Sequence, residues 1–172
     1  MKARILVWLV ALFCCHNVLF AQKEFVNASA RLSGHPRILL QKGEEKALKK
    51  VIMKDAVWKD IHQSLVDEAG EIVKLPLNER IKTGRRLLSV SRENLRRIFI
   101  LSYAYRMTGK NEFLKRAESE MLKAASFSDW NPSHFLDVGE MTMALAIGYD
   151  WLYSQLSVQT KKEIENAIVE KG

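Results

Sequence analysis

SHFLDVGEMTMALAIGYDWLY, residues 133–153, is the most continuously apolar segment after residue 22. Read as a helix, it has Leu136, Val138, Met141, Met143, Leu145, Ala146, Ile147, Tyr149, Trp151 and Leu152 spread around its axis, leaving no polar face. A helix that is apolar nearly all round is expected to be buried on several sides, as an inner layer. Asn131 reads as its cap and Pro132 as its first helical position.

Two carboxylates sit early in this helix. At roughly 100° per residue, Asp137, Glu140, Met141, Ala144, Gly148 and Trp151 share one side. Carboxylates on a buried helix need partners, or their pKa values rise. Either each meets an Arg of a neighbouring helix as a structural tie, or this side lines a cleft that takes a polar ligand. Both readings stand at this level. His134, in the first turn, reaches toward the same cleft mouth. His-x-x-Asp spacing can hold a metal, but two ligands do not make a site, and no metal or other cofactor is expected. Asp150 lies near the helix C-terminus, where a negative charge opposes the dipole, so a paired structural role is expected there.

Outward from this stretch the pattern is helical throughout. Residues 43–53 and 55–73 place Leu48, Val51, Ile52, Trp58, Ile61, Leu65, Ala69 and Ile72 at spacings of three and four, and Pro76 closes the run. Ser91 reads as the cap of a helix striped by Leu95, Ile98, Phe99, Ser102 and Tyr105. Residues 107–110 make a short turn. Asn111 then starts a return helix with Phe113, Leu114, Ala117, Met121 and Ala125 inward, so the two should pack as an antiparallel hairpin. Ser157 opens a last amphipathic helix through Ile164, Ala167 and Ile168. No strand pattern is present. The expected class is all-α.

Composition agrees. The 172 residues are 48% hydrophobic and 27% charged, which excludes disordered and low-complexity classes. Cys14 and Cys15 are adjacent, so no disulfide framework exists. Lys2 and Arg4 precede an apolar run from Ile5 to Cys15, and Ala21 precedes Gln22. This describes a signal peptide over 1–21, cleaved after Ala21 and too short for a good membrane span. The protein is therefore expected to be secreted or periplasmic, without stable membrane insertion once the leader is removed. Asn27-Ala28-Ser29 is a formal glycosylation acceptor. Residues 22–40 read as an extended lead-in, with His35 biased to extended geometry by Pro36.

The formal net charge is +7. Lys74, Arg80, Lys82, Arg85, Arg86, Arg92, Arg96 and Arg97 stand against only Glu79 and Glu93 in one segment. Arginine suits bidentate contacts to carboxylate or sulfate. An exported protein meets polyanionic glycans rather than nucleic acid, so an anionic polysaccharide is the expected partner.

Several segments together carry a resemblance. HPRILL (35–40), YRMTGK (105–110) and HFLDVGEMT (134–142) running into AIGYDWLY (146–153) resemble the N-terminal part of heparinase II/III-like polysaccharide lyases, whose architecture alginate lyases share. The resemblance implies an incomplete (α/α) toroid of antiparallel helical hairpins over residues 41–172, with inner and outer helices around a cleft. It implies β-elimination of uronic-acid glycans, with proton abstraction by a Tyr or His. The family's Asn-His pair, catalytic Tyr, β-domain His and metal ligands match nothing up to Gly172. His35, His62 and His134 are not in an Asn-His context, so no catalytic residue is carried over. Substrate binding by His134, Asp137 and Glu140 is. A closed toroid of about twelve helices needs on the order of 250 residues. The chain is thus expected to be truncated, inactive alone and lacking a C-terminal part of the same protein. Two alternatives remain: a non-catalytic anionic-glycan-binding or scaffolding helical module, and a toroidal glycoside hydrolase using Asp137 or Glu140. The hydrolase ranks lower, because carboxylates about 5–6 Å apart at Cβ on one helix face do not flank a bond.

Overall fold

The computed structural model describes residues 34–172. The expected leader over 1–21, its cleavage after Ala21, the Asn27 acceptor and positions 22–33 of the lead-in lie outside the described residues. Six helices follow one another: α1 Glu45–Lys54, α2 Ala56–Lys74, α3 Leu88–Thr108, α4 Asn111–Ala125, α5 Phe135–Leu152 and α6 Val158–Lys171. Among the described residues there is no strand, only an isolated bridge between Thr83 and Arg86. The fold is all-α. No described helix is long and apolar enough to cross a membrane.

Local chemistry sets most boundaries. Asp55 takes extended backbone between α1 and α2, and its carboxylate accepts from the Val57 and Trp58 amides, capping α2. Gly109 ends α3 at φ 74°, a left-handed position that glycine takes without a Cβ clash, and its amide donates to the Tyr105 carbonyl. The chain then reverses into α4. Farther from that turn, buried Arg97 of α3 donates to buried Glu120 of α4 at 3.0 Å, as an antiparallel hairpin requires. Ser157 caps α6 by accepting from the Thr160 amide.

The core lies where α3, α4 and α5 meet. Ile98, Leu101, Ala104, Ala117, Met121, Met141, Ala144 and Leu145 have no measurable exposure there. Gly148 permits the approach: a Cβ on it would lie 2.5 Å from Met121 Sδ and 2.6 Å from Ile98 Cγ2. α5 is packed by α3, α4 and α6 but is not covered all round. Phe135 is 77% exposed, and Leu136 and Met143 are each 50% exposed. The helix is thus buried on several sides, as expected, and these three mark the one flank on which no described element packs.

The C-terminal half of α5 anchors the lead-in. Buried Asp150 accepts from His35 Nδ1–H (2.5 Å), the Arg37 amide (2.9 Å) and the Ile38 amide (3.1 Å). Trp151 Nε1–H donates to the Ile38 carbonyl at 2.9 Å. His35 Nε2 accepts from the Arg37 guanidinium and its ring stacks on Tyr153, with centroids 4.0 Å apart. Asp150 therefore has the paired role expected of it. The lead-in is not extended throughout: Leu39 sits at φ 56°, and the Lys42 amide reaches back to the Pro36 carbonyl. Curling around one carboxylate overrides the extended bias of an X-Pro segment.

The two glycines of α5 should respond in opposite ways. Gly148→Ala should destabilise by about 1–3 kcal/mol through overpacking. Gly139→Ala, whose Cβ would meet nothing within 4 Å, should stabilise the helix by about 0.5–1 kcal/mol. Urea unfolding of both variants checks the pair, and equal effects would contradict the packing described.

Candidate anion-binding cleft

Two short turns, far apart in sequence, are fastened to the start of α5. The first is residues 83–86, where Thr83 and Arg86 exchange backbone hydrogen bonds of 2.9 and 3.2 Å around Gly84 at φ 60°. The second is residues 131–134, entered by Asn131 at φ 59°. Asn131 Nδ2 donates to the Arg85 carbonyl (2.9 Å) and to Asp137 Oδ2 (2.7 Å). Asp137 Oδ2 also accepts from the Leu87 amide at 2.7 Å, and Asp137 Oδ1 accepts from His134 Nδ1–H at 2.9 Å. A second clasp, Arg80 to Asp129 at 2.6 Å, holds the same two segments together.

These contacts correct two expected caps. Asn131 does not cap α5, which begins after His134; its left-handed backbone turns the chain and its amide bridges the two loops. Ser91 does not open α3. The helix starts a turn earlier, because Asp137 supplies the anion at its N-terminus, where the Leu87 amide needs an acceptor.

Asp137 is fully buried. Burial alone would raise its carboxyl, but the hydrogen bonds from Asn131, the Leu87 amide and His134 outweigh it, and the group sits below the ordinary aspartate value. All its donors come from the protein, so it positions His134 and does not itself face the cleft. Glu140, one turn on, accepts from Ser91 Oγ (2.7 Å) and Arg92 Nε (3.1 Å), which ties α5 to α3. The structure therefore separates the three sequence candidates: His134 lines the cleft, Asp137 holds it from beneath, and Glu140 is engaged elsewhere.

Above the clasped turns lies a cavity of about 260 Å³ lined by Arg85, Arg86, Ser133 and His134. With Nδ1–H committed to Asp137, His134 Nε2 has no hydrogen-bond partner among the described residues. Ser133 Oγ donates to Asn131 Oδ1 at 3.1 Å, which fixes its rotamer. The basic segment noted in the sequence is largely neutralised internally. Lys74 pairs with Glu71, Arg80 with Asp129, Arg92 with Glu140, Arg96 with Glu93 and Glu68, and Arg97 with Glu93 and Glu120. Lys82, Arg85 and Arg86 form no ion pair among the described residues. Two of those three line the cleft.

Cavities of similar size elsewhere lack this property. The one beside Trp151 contains Arg106, which is committed to Glu45 and to the Leu40 and Gln41 carbonyls. The one between α4 and α6 contains Lys171, which is committed to the Ala125 and Phe127 carbonyls. Only the 85–86/133–134 cleft, of these three, joins cations lacking internal counter-charge to an oriented imidazole. Such a set can hold a carboxylate or sulfate through charge-assisted hydrogen bonds. No three His, Cys, Asp or Glu side chains cluster to hold a metal among the described residues.

No protein-family model matches the chain, and no match was found among curated proteins.

Replacing Asp137 with Asn leaves one acceptor oxygen for three donors, sets the new NH2 against at least one of them, and should cost about 2–3 kcal/mol of unfolding free energy. Because its folded pKa is depressed, the contribution of Asp137 is complete above the unfolded value of about 3.9 and is lost as pH falls through the lower folded value. Asp137→Asn should remove that share of the acid slope. Chemical denaturation across acid pH checks this, and unchanged stability and slope would contradict it.

Proposed function

We propose that this chain is the substrate-holding helical portion of a secreted or periplasmic lyase that cleaves uronic-acid glycans, heparin-like or alginate-like, by β-elimination. One observation carries the reading: Arg85 and Arg86, without internal counter-ions, converge with an oriented His134 on one cleft. In this reading the two guanidinia take a sugar carboxylate or sulfate, His134 Nε2 and Ser133 meet neighbouring oxygens, and Asp137 keeps the imidazole in register. Glu140 acts at one remove, by holding α3 and Arg92 against α5. No residue of the chain is assigned to the elimination itself.

The (α/α) toroid belongs to the same proposal. Supporting it are the antiparallel α3–α4 hairpin, the central placement of α5 and its exposed apolar flank at Phe135, Leu136 and Met143. A non-catalytic glycan-binding module would use the same cleft; favouring it is that the cleft residues are those of anion binding. The hydrolase alternative gains no support, because Asp137 is buried under three donors and Glu140 is paired.

Titration calorimetry with heparin, alginate and hyaluronan oligosaccharides should show saturable binding of at least one. The double change Arg85→Ser/Arg86→Ser should weaken it by about tenfold or more, from the loss of charge-assisted hydrogen bonds, with the helical content unchanged. Because no residue of this chain is assigned to the elimination, product is assayed on the full-length gene product: unsaturated uronates detected in the ultraviolet identify a lyase, saturated reducing ends a hydrolase, and binding without product there a module. Binding that is absent or indifferent to both arginines would contradict the proposal.

A further inference from the structure

We propose that the corner between α1 and α2 is a docking surface for an anionic lipid bilayer. At roughly 100° per residue, Lys46, Lys49, Lys50, Met53 and Lys54 fall within one face of α1, and all five are exposed. The opposite side carries the contacts to the body of the protein, with Ile52 buried and Glu45 paired to Arg106. The chain breaks only at Asp55 before α2 begins, so the lysine-rich helix is followed at once by the first turns of α2.

Those turns are apolar and unpartnered. Met53 is 76% exposed, Val57 66%, Trp58 47% and Ile61 45%. Met53 lies at the end of α1, and Val57, Trp58 and Ile61 follow on α2 at spacings of three and four, on a stripe that runs on through Leu65 to the core at Ala69 and Ile72. Lys59 flanks them. Residues 46–61 therefore carry five lysines against Asp55 and Asp60, and Asp55 is spent as a helix cap. Among the described residues the lysines in ion pairs are Lys74 and Lys123, so these five have none.

Charge and apolarity together select the occupant. A second copy of the chain would bring the same cationic corner against itself. A hydrated polyanion would engage the lysines but leave Met53, Val57 and Ile61 in water. A bilayer with anionic headgroups satisfies both: the aliphatic side chains enter the headgroup–acyl boundary, Trp58 sits at the interface where indoles are favoured, and the lysines face the headgroups. Such attachment is peripheral. It would hold the glycan cleft near a cell surface without any membrane-crossing segment.

The chain from Gln22 onward, freed of the apolar leader and its Trp8, is sedimented with vesicles of phosphatidylcholine, alone or mixed with phosphatidylglycerol, at low and raised salt. Binding to the mixed vesicles, weakened by salt and absent from pure phosphatidylcholine, is expected. Lys49→Glu/Lys50→Glu and, separately, Val57→Ser/Ile61→Ser should each reduce it by about tenfold or more. Circular dichroism should be unchanged, since all four positions are exposed. In the chain from Gln22, which lacks Trp8, Trp58→Phe should abolish the vesicle-induced fluorescence shift, because the two remaining tryptophans, Trp130 and Trp151, are buried. Failure to bind the mixed vesicles overturns the proposal, as does binding indifferent to both double variants, which would place attachment elsewhere in the chain. Retention on heparin that depends on the lysines without vesicle binding assigns the corner to a polyanion. A concentration-dependent dimer lost with Val57→Ser/Ile61→Ser assigns it to self-association. Either result overturns the proposal.

Discussion

The carboxylate of Asp137 is the interaction on which the candidate cleft depends. It is fully buried and accepts three hydrogen bonds: from a backbone amide at the start of α3, from the side chain of Asn131 and from the ring of His134. A buried charge is tolerable only if its lone pairs are filled by well-aligned donors. Those donors come from three segments, so satisfying the charge fixes the segments relative to one another. Removing it would free the helix start, the Asn131 turn and the imidazole together.

α5 repeats this device at its other end. Asp150 gathers His35 and the Arg37 and Ile38 amides, as Asp137 gathers the Leu87 amide, Asn131 and His134. One buried helix thus carries a carboxylate clamp near each terminus, with close packing between them at Gly148 against Met121 and Ile98. In energetic terms the middle of α5 supplies apolar burial and its ends supply specificity of attachment. The N-terminal clamp serves the cleft, and the C-terminal clamp secures the lead-in.

The sequence made legible what depends on neighbours in the chain. Helical spacing placed α1, α2, α4 and α6 within a residue or two, and Ser157 caps α6 as its type suggests. It misled where a distant group does a local job. Ser91 is a good cap by type, yet α3 begins earlier because a carboxylate fifty positions away accepts its first amide. Asn131 before Pro132 reads as a helix start, but the same side chain tolerates left-handed backbone and is used for that. The basic segment could be counted but not sorted. Arg96 and Arg97 are neutralised by Glu68 and Glu120, and only the packing of helices reveals that Arg85 and Arg86 are left over. His134 was recognisable from its spacing to Asp137, whereas its cleft partners were not, since nothing local joins residues 85–86 to 133–134.

In the proposed anion site, an imidazole oriented by buried Asp137 joins two arginines without internal counter-ions. The most direct test is an NMR titration of the protein with a uronate oligosaccharide, following backbone amides and the His134 ring. Saturable shifts concentrated at Arg85, Arg86, Ser133 and the Nε2 side of His134 are expected, with His134 Nδ1–H still bound to Asp137 throughout. Shifts centred on the Arg106 or Lys171 cavities, or none at the clasped turns, would contradict it.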